Sequence, residues 1–434
     1  MSDPRTGDAS PERLARETFR RLRTHMSPAM ALAGRFAGRG AVEVAGEGCV
    51  VRLSDGRRAL DFGSYAVTLL GHRNPAVVAA VTEQLTTMPV STRALGNPVA
   101  AVAAEEVVRY LGGVLPRVYF GTNGADAVEV AVKLARLATG RQTVLAVRGG
   151  YHGKTMGALA LTWHPRFRAG LEPLLGGAAH ADPADPDAVR RIAAAGDLAA
   201  VIFEPVQGEN GVVPLDPAVL AQWTTDAHAA GAMVISDEIQ VGLRRGGVRS
   251  IALDLNLHVD AVLLGKPLGG GVVPVSAAVC AERLYRPLIE DAFRHSATFG
   301  AQPLGMAAVP AALRTIEAYA DDGARICAAL ADGLAGLRTR HPDVVTEVRG
   351  RGLIWGVDFA TAEHAGEVAF GLIERGLLVS HCLSRPETLR LLPPIITTDA
   401  ELAQALDALD GAVGHAREAV LTARPVAADA GVTS

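Results

Sequence analysis

Lysine is almost missing from this chain: of 42 basic residues only Lys133, Lys154 and Lys266 are lysines. Any chemistry that needs an amine able to lose its proton therefore has three candidates, because arginine stays charged. Cysteine is limited to Cys49, Cys280, Cys327 and Cys382, with no Cys-x-x-Cys pair. That spacing suits neither a disulfide framework nor a zinc cage, and no metal site is expected. No apolar run approaches the roughly 18 to 20 residues of a membrane span. An excess of one charge is missing too: the net charge is −4 and the basic residues are not clustered. This argues against nucleic acid and membrane as partners and for a small-molecule substrate. The opening MSDPRTGDASPERLARETFRRLR mixes arginines with acids around no apolar segment, so it does not read as a secretory signal. A reducing cytoplasm is the expected location.

What is present is length and alternation. At 434 residues the chain can bury one large α/β domain and a smaller one without staples. Residues 13–26 read as a helix, and VVRLSDGRRALDF (50–62) as two strands around a Ser-Asp-Gly turn. From about Pro75 helix and strand alternate, which signals a mostly parallel sheet wrapped by helices. Its strands are RVYFG (117–121), TVLAVR (143–148), AAVIFEP (199–205), AMVISDE (232–238) and AVLLG (261–265), with VSAAVC (275–280) as an added edge strand. A long helical stretch near 303–319 leads to GLIWGVDF, a helix, short strands around LLVSH and TLRLLPP, and a closing helix from Asp399, together a smaller α+β unit. The expected organisation is a disordered tail over 1–12, a segment over 13–75 packing with the small domain, a large domain over 76–308, a small domain over 309–420 and a disordered tail over 421–434.

Ligands of open parallel sheets bind at the C-terminal ends of the strands, so the residues where apolar runs stop are the informative ones. Lys266 follows AVLLG and precedes PLGGG, a glycine-lined position where desolvation depresses an amine pKa and a Schiff base can form. A P-loop is excluded, because Pro267 stands where Ser or Thr is required and Asp260 where the earlier glycine would be. Asp237 closes the run AMVIS, and a carboxylate there is costly without a cationic partner such as a pyridinium nitrogen. Gly121-Thr122-Asn123-Gly124-Ala125 joins a strand to a helix and offers backbone N–H groups to an anion. The alternatives are a lysine snorkelling to solvent, an N-cap aspartate and a glycine turn that binds nothing.

Together these segments resemble the class III aminotransferases, the fold type I group that includes ornithine, acetylornithine and 4-aminobutyrate aminotransferases. The likeness covers roughly residues 45–415 and its motifs run in the family's order: LDF…LGHRNP, FGTNGADAVEVAVKLAR, YHGKT, FEPVQGENG, DEIQVGLRRGG, LLGKPLGGG, TFGAQPLG, RGRGL and LRLLPP. The resemblance implies pyridoxal 5'-phosphate as cofactor, Lys266 as the Schiff-base lysine and proton carrier, and Asp237 on the pyridine nitrogen. It also implies Gln240 near the ring's phenolic oxygen, Tyr151 on the ring face with His152 beside it, and Gly124 and Ala125 on the phosphate. Thr298 is similar to the threonine that reaches the phosphate in the neighbouring subunit, which implies a homodimer with shared sites. Arg390 resembles the arginine that clamps a substrate carboxylate, and Glu209 the glutamate that pairs with it when no carboxylate is bound. Tyr65 matches a substrate-contacting tyrosine of ornithine-type enzymes, and Gly96 falls where those enzymes carry a bulkier side chain. The plainer alternatives are a structural ion pair at Arg390, a core aromatic at Tyr151 and a loop glycine without a pocket role at Gly96.

The function so implied is ping-pong transamination between an amino acid or ω-amine and a keto acid, with glutamate and 2-oxoglutarate on one side. Four departures keep a second reading open: Ala125 for Ser or Thr, Val241 for Thr or Ser, Gln302 for Asn, and Gly96. On the same scaffold that reading is aminomutase, racemase, decarboxylase or elimination chemistry.

Overall fold

The computed structural model describes residues 10–422. Residues 1–9 and 423–434, which hold most of both expected tails, lie outside the described residues. Ser10 caps a helix over Pro11–His25, so residues 10–12 belong to that helix and not to a tail, and the closing helix Asp399–Thr422 takes in residues 421 and 422.

The strands Leu198–Phe203, Met233–Asp237 and Ala261–Leu264 are buried at every position, the pattern of a sheet covered on both faces. Across the seven-stranded sheet the order is Arg117–Gly121, Ser276–Cys280, Ala261–Leu264, Met233–Asp237, Leu198–Phe203, Thr143–Val147, Ala178–Ala181. Ser276–Cys280 runs antiparallel to both its neighbours, and every other pairing is parallel. This corrects the edge position expected for VSAAVC. The strand is interior and buried at all five residues, whereas an edge strand keeps part of its length in water. The edge beyond Thr143–Val147 is formed by Ala178–Ala181, a short Ala-His-Ala run with no β-branched residue to announce it.

The helix Gly124–Thr139 begins in a capping box, where Asn123 and Asp126 satisfy each other's backbone N–H groups, and it stops at Gly140 in the left-handed conformation (φ 70°). Its buried face carries Ala127, Val128, Ala131, Leu134 and Ala135. Full burial of each valine or leucine on such a face contributes about 1.5–3 kcal/mol, so tertiary packing more than propensity holds the helix.

Two four-stranded sheets flank this core. One joins Glu43–Glu47, Val50–Leu53 and Arg58–Asp61 to Leu377–Leu378, which pairs in parallel with Arg58–Asp61. The other has the order Val345–Arg351, Ile354–Phe359, Arg385–Leu391, Ser380–Cys382, and helices Ala362–Glu374 and Asp399–Thr422 pack on each other beside it. Among the described residues no helix is long and apolar enough to cross a membrane.

Candidate active site

Parallel register brings the C-terminal ends of the central strands to one edge, and the polar residues that end the apolar runs meet there. Lys266 opens the tight turn Lys266–Gly269 with φ at +44°, a left-handed conformation that costs a non-glycine residue energy and persists only where packing fixes it. Burial pushes its amine below the ordinary lysine range. Glu209, Asp237 and Glu204 oppose the shift without cancelling it, and the charge of Arg390 reinforces it.

Asp237 is buried on the adjacent strand. Its Oδ2 lies 2.7 Å from Nδ1 of His152, and its Oδ1 accepts the N–H of Ile239 at 3.2 Å. His152 is buried as well, which alone would lower its pKa, but the hydrogen bond and the charge of Asp237 outweigh burial and raise it. The two therefore form a buried hydrogen-bonded pair in which Asp237 favours the protonated imidazole. Its Nε2 has no partner among the described residues.

The expected phosphate turn sits at the start of Gly124–Thr139, where the N–H groups of Gly124 and Ala125 fall in the first turn beyond reach of any intrahelical carbonyl. Thr122 is spoken for, because its N–H and hydroxyl both donate to Asp126 at 2.8 Å. A Cβ at Gly124 would meet Cγ2 of Ile239 at 2.9 Å, and one at Gly265 would meet the same atom at 3.1 Å. One isoleucine thus lies between phosphate turn and lysine turn, and a side chain at either glycine would push against it. An amine of lowered pKa, a buried carboxylate on the next strand and free N–H donors at a helix start together fit pyridoxal phosphate.

Glu209 and Arg390 form a second buried pair, Nη1 to Oε1 at 2.8 Å. The same Nη1 donates to the carbonyl of Gly208 at 2.9 Å and to Oε1 of Gln240 at 3.2 Å, while Nε and Nη2 have no partner among the described residues. Burial works against the Glu209 carboxylate, yet Arg390 and the N–H of Leu383 (3.0 Å) hold it below the usual range. Gln240, expected beside the cofactor ring, here bridges the pair, since its amide also donates to Glu209 at 3.2 Å.

Sequence reasoning passed over Glu204, although a carboxyl closing a six-residue apolar strand was the same signal that singled out Asp237. Glu204 accepts the N–H of Tyr151 at 2.8 Å and that of Gly208 at 3.4 Å, so it ties the Tyr151 loop to the Glu209 loop. Burial, with the charge of Asp237 adding to it against His152, raises this carboxyl to about 7. Between pH 4.5 and 7 the unfolded chain has released that proton and the folded chain keeps it. The contribution to stability is therefore complete below 4.5 and lost as the pH rises through 7, about 3 kcal/mol in all. Thermal melts of apoprotein between pH 5 and 7.5 should flatten in Glu204→Gln; a slope equal to that of the parent would show the carboxyl already ionised in the fold.

Tyr151 is half-buried, its ring edge-on to Phe167 at 6.0 Å, and burial together with Glu209 and Glu204 raises its hydroxyl pKa. Tyr65 is 61% exposed on a turn that packs against Lys266–Gly269. Thr298 and Gly96 lie on two exposed loops joined by a hydrogen bond from Arg93 to the carbonyl of Ala297. Among the described residues no hydrogen bond or ion pair links either of them to the Lys266 cluster. Two of the departures have local accounts: Gln302 caps the helix Pro303–Ala318 through Leu304 N–H (3.0 Å), and Val241 packs with Ala66, Val206 and Leu392.

The aminotransferase class-III family model matches residues 39–413. A putrescine aminotransferase of Pectobacterium atrosepticum is 34% identical over 364 residues, covering 81% of this chain and 78% of the relative. The ornithine aminotransferase of Toxoplasma gondii ME49 superposes with a TM-score of 0.85 at 28% identity, over 93% of this chain and 96% of that one. An amine transaminase from an uncultivated Pseudomonas species, solved in its pyridoxal-phosphate-bound form, superposes with a TM-score of 0.79 at 27% identity, over 87% and 95%. With this cluster of strand-end residues inside that fold type I framework, the chain belongs to the class III aminotransferases, enzymes that transfer amino groups with pyridoxal phosphate.

Proposed function

We propose that this aminotransferase takes its amino group from an ω-amine such as putrescine or from an amino acid, and passes it to 2-oxoglutarate in a second half-reaction. The observation that carries the acceptor side is the buried Arg390–Glu209 pair with two further guanidinium nitrogens unpartnered. A bidentate fork is what a carboxylate requires, and Glu209 neutralises the arginine when a donor without a carboxylate is bound instead. The donor side rests on the putrescine aminotransferase relative.

The cofactor, when bound, supplies an electron sink for the pair left at the substrate carbon. Lys266 would hold it and, with its lowered pKa, would take the proton from that carbon and return it on the cofactor side. Asp237, backed by His152, would hold the ring nitrogen in its protonated form, and Tyr151 would cover the ring face. Gly124 and Ala125 would grip the phosphate through backbone N–H groups, and Gln240, bonded to Glu209 and Arg390, would stand near the ring oxygen.

The active unit in this reading is a homodimer. Leu95 (75% exposed), Phe299 (56%) and Phe293 (91%) stand out on the two joined loops that carry Gly96 and Thr298, and a second copy covering them would receive Thr298 at its phosphate site. The division at 308, inside the helix Pro303–Ala318, and a cytoplasmic location suited to four free cysteines belong to the same proposal.

The half-reactions test it separately. Arg390→Ala, made together with Glu209→Gln so that no buried carboxylate is stranded, should raise KM for 2-oxoglutarate about 100-fold, the worth of a lost charge-assisted fork. KM for putrescine should move less than about threefold. Equal losses on both sides would remove the carboxylate-clamp assignment.

A further inference from the structure

The turn that presents Tyr65 is the most strained stretch of backbone in the described chain. Ser64, Tyr65 and Ala66 are three successive non-glycine residues at positive φ, 43°, 51° and 68°. Such residues rarely occur even singly, and a run of three unwinds unless its surroundings over-determine it.

The surroundings consist largely of one buried side chain. Asp61 is 2% exposed, and neither the lysine site nor the Arg390 pair uses it. Its Oδ1 accepts the N–H of Gly63 at 3.0 Å, and its Oδ2 accepts the hydroxyl of Ser64, the hydroxyl of Thr68 at 3.4 Å and Nε2 of His72 at 2.8 Å. Burial opposes its ionisation, but these donors together hold the carboxyl below the usual range. The loop is also pinned along its backbone. Phe62 donates to Leu378 at 2.9 Å and accepts from Leu392 at 2.7 Å, Leu69 accepts from Ile395 at 2.7 Å, and His72 donates to Gly48 at 2.7 Å. Leu392 lies two residues past Arg390, and the strained turn itself packs on Lys266–Gly269. Ala66 is fully buried and Ser64 is engaged with Asp61, which leaves the Tyr65 ring projecting from a fixed base.

We infer that Asp61 is a positioning residue for the amino donor: its carboxylate locks the left-handed turn Gly63–Ala66 between the lysine turn and the Arg390 strand, and so fixes where Tyr65 meets the substrate. The inference rests on the proposed ω-amine donor meeting Tyr65, the substrate contact that the family resemblance implies. A carboxylate suits this task because one oxygen serves the turn's backbone while the other gathers three side-chain donors from both ends of the loop.

Holoenzyme variants Asp61→Asn, Tyr65→Ala and the double variant, assayed with putrescine and 2-oxoglutarate, test it. Asp61→Asn should raise KM for putrescine about tenfold, with kcat, KM for 2-oxoglutarate and the dissociation constant of pyridoxal phosphate within about twofold. The double variant should be no worse than Tyr65→Ala alone, since a lock has nothing to hold once the ring is gone. Additive losses, or an unchanged KM in Asp61→Asn, would overturn the inference while leaving Tyr65 in place. An unchanged KM in Tyr65→Ala would overturn the donor-facing reading, and the inference with it. Should Asp61→Asn fold poorly, Ser64→Ala removes one tether at a half-buried position and should raise the same KM about threefold; no rise there counts against the lock.

Discussion

Replacing Lys266 with alanine should lower kcat/KM by at least about 10⁴-fold, because one group is asked both to bind the cofactor covalently and to carry the proton. The protein should still take up pyridoxal phosphate, since the phosphate turn and Asp237 are untouched, but borohydride should trap no adduct. The scarcity of lysine makes this unusually clean. Lys133 and Lys154 are the only other side-chain amines, both are exposed, and Lys154 lies against the ring of Phe167 at 4.7 Å. Peptide mapping of the trapped parent enzyme therefore has three side chains to discriminate, and added methylamine should restore part of the rate in the variant by supplying the missing base. An adduct at Lys133 or Lys154 in the parent, or retained turnover in Lys266→Ala, would end the assignment.

The fold should tolerate the change. Alanine at position 266 inherits the same left-handed φ, so that strain is unaltered, while an amine whose burial already lowers its pKa is removed. Melting of the apoprotein should rise or stay level. A steep fall would show that the lysine tail supports the core.

The residues that sequence reasoning found at this site share one property: each is chemically out of place where it stands. A lysine among glycines and a carboxylate ending an apolar strand are local anomalies, so one chain suffices to see them, and the order of the motifs then supplies the family. What escaped is relational. Ser276–Cys280 has the same apolar composition whether it lies at an edge or inside the sheet, and only its pairing with Arg117–Gly121, far away in sequence, decides the matter. Asp61 reads as one more acid near a hairpin until Ser64, Thr68 and His72 are seen to converge on it. Gln240 is visible as a motif residue, but its bonds to Glu209 and Arg390 join segments 31 and 150 positions apart. His152 drew attention through its neighbour Tyr151, whereas its contact with Asp237 spans 85 positions.

That contact governs the second large effect. Asp237→Ala leaves His152 buried with neither ring nitrogen paired among the described residues, and breaking a buried pair from one side costs about 3–5 kcal/mol. Turnover should fall about 10²- to 10³-fold or more, as the ring nitrogen loses its counter-charge. Titration of stability separates this from a merely loosened fold. In the parent the His152 pKa is raised above 6.5, so its contribution is complete below 6.5 and lost as the pH climbs through the raised value. With the charges of Asp237 and Glu204 both gone only burial remains, the histidine becomes neutral in the fold, and the unfolded chain binds the extra proton below 6.5. Apoprotein stability of Asp237→Ala should therefore rise with pH as it approaches 6.5, opposite in sign to the His152 contribution in the parent, once the background from Glu204 has been removed by comparing both in a Glu204→Gln chain. Asp237→Asn keeps an acceptor for Nδ1 but not the charge, and should recover stability without recovering turnover. If it recovered both, the charge on Asp237 would have no catalytic part and the carboxylate would serve His152 alone.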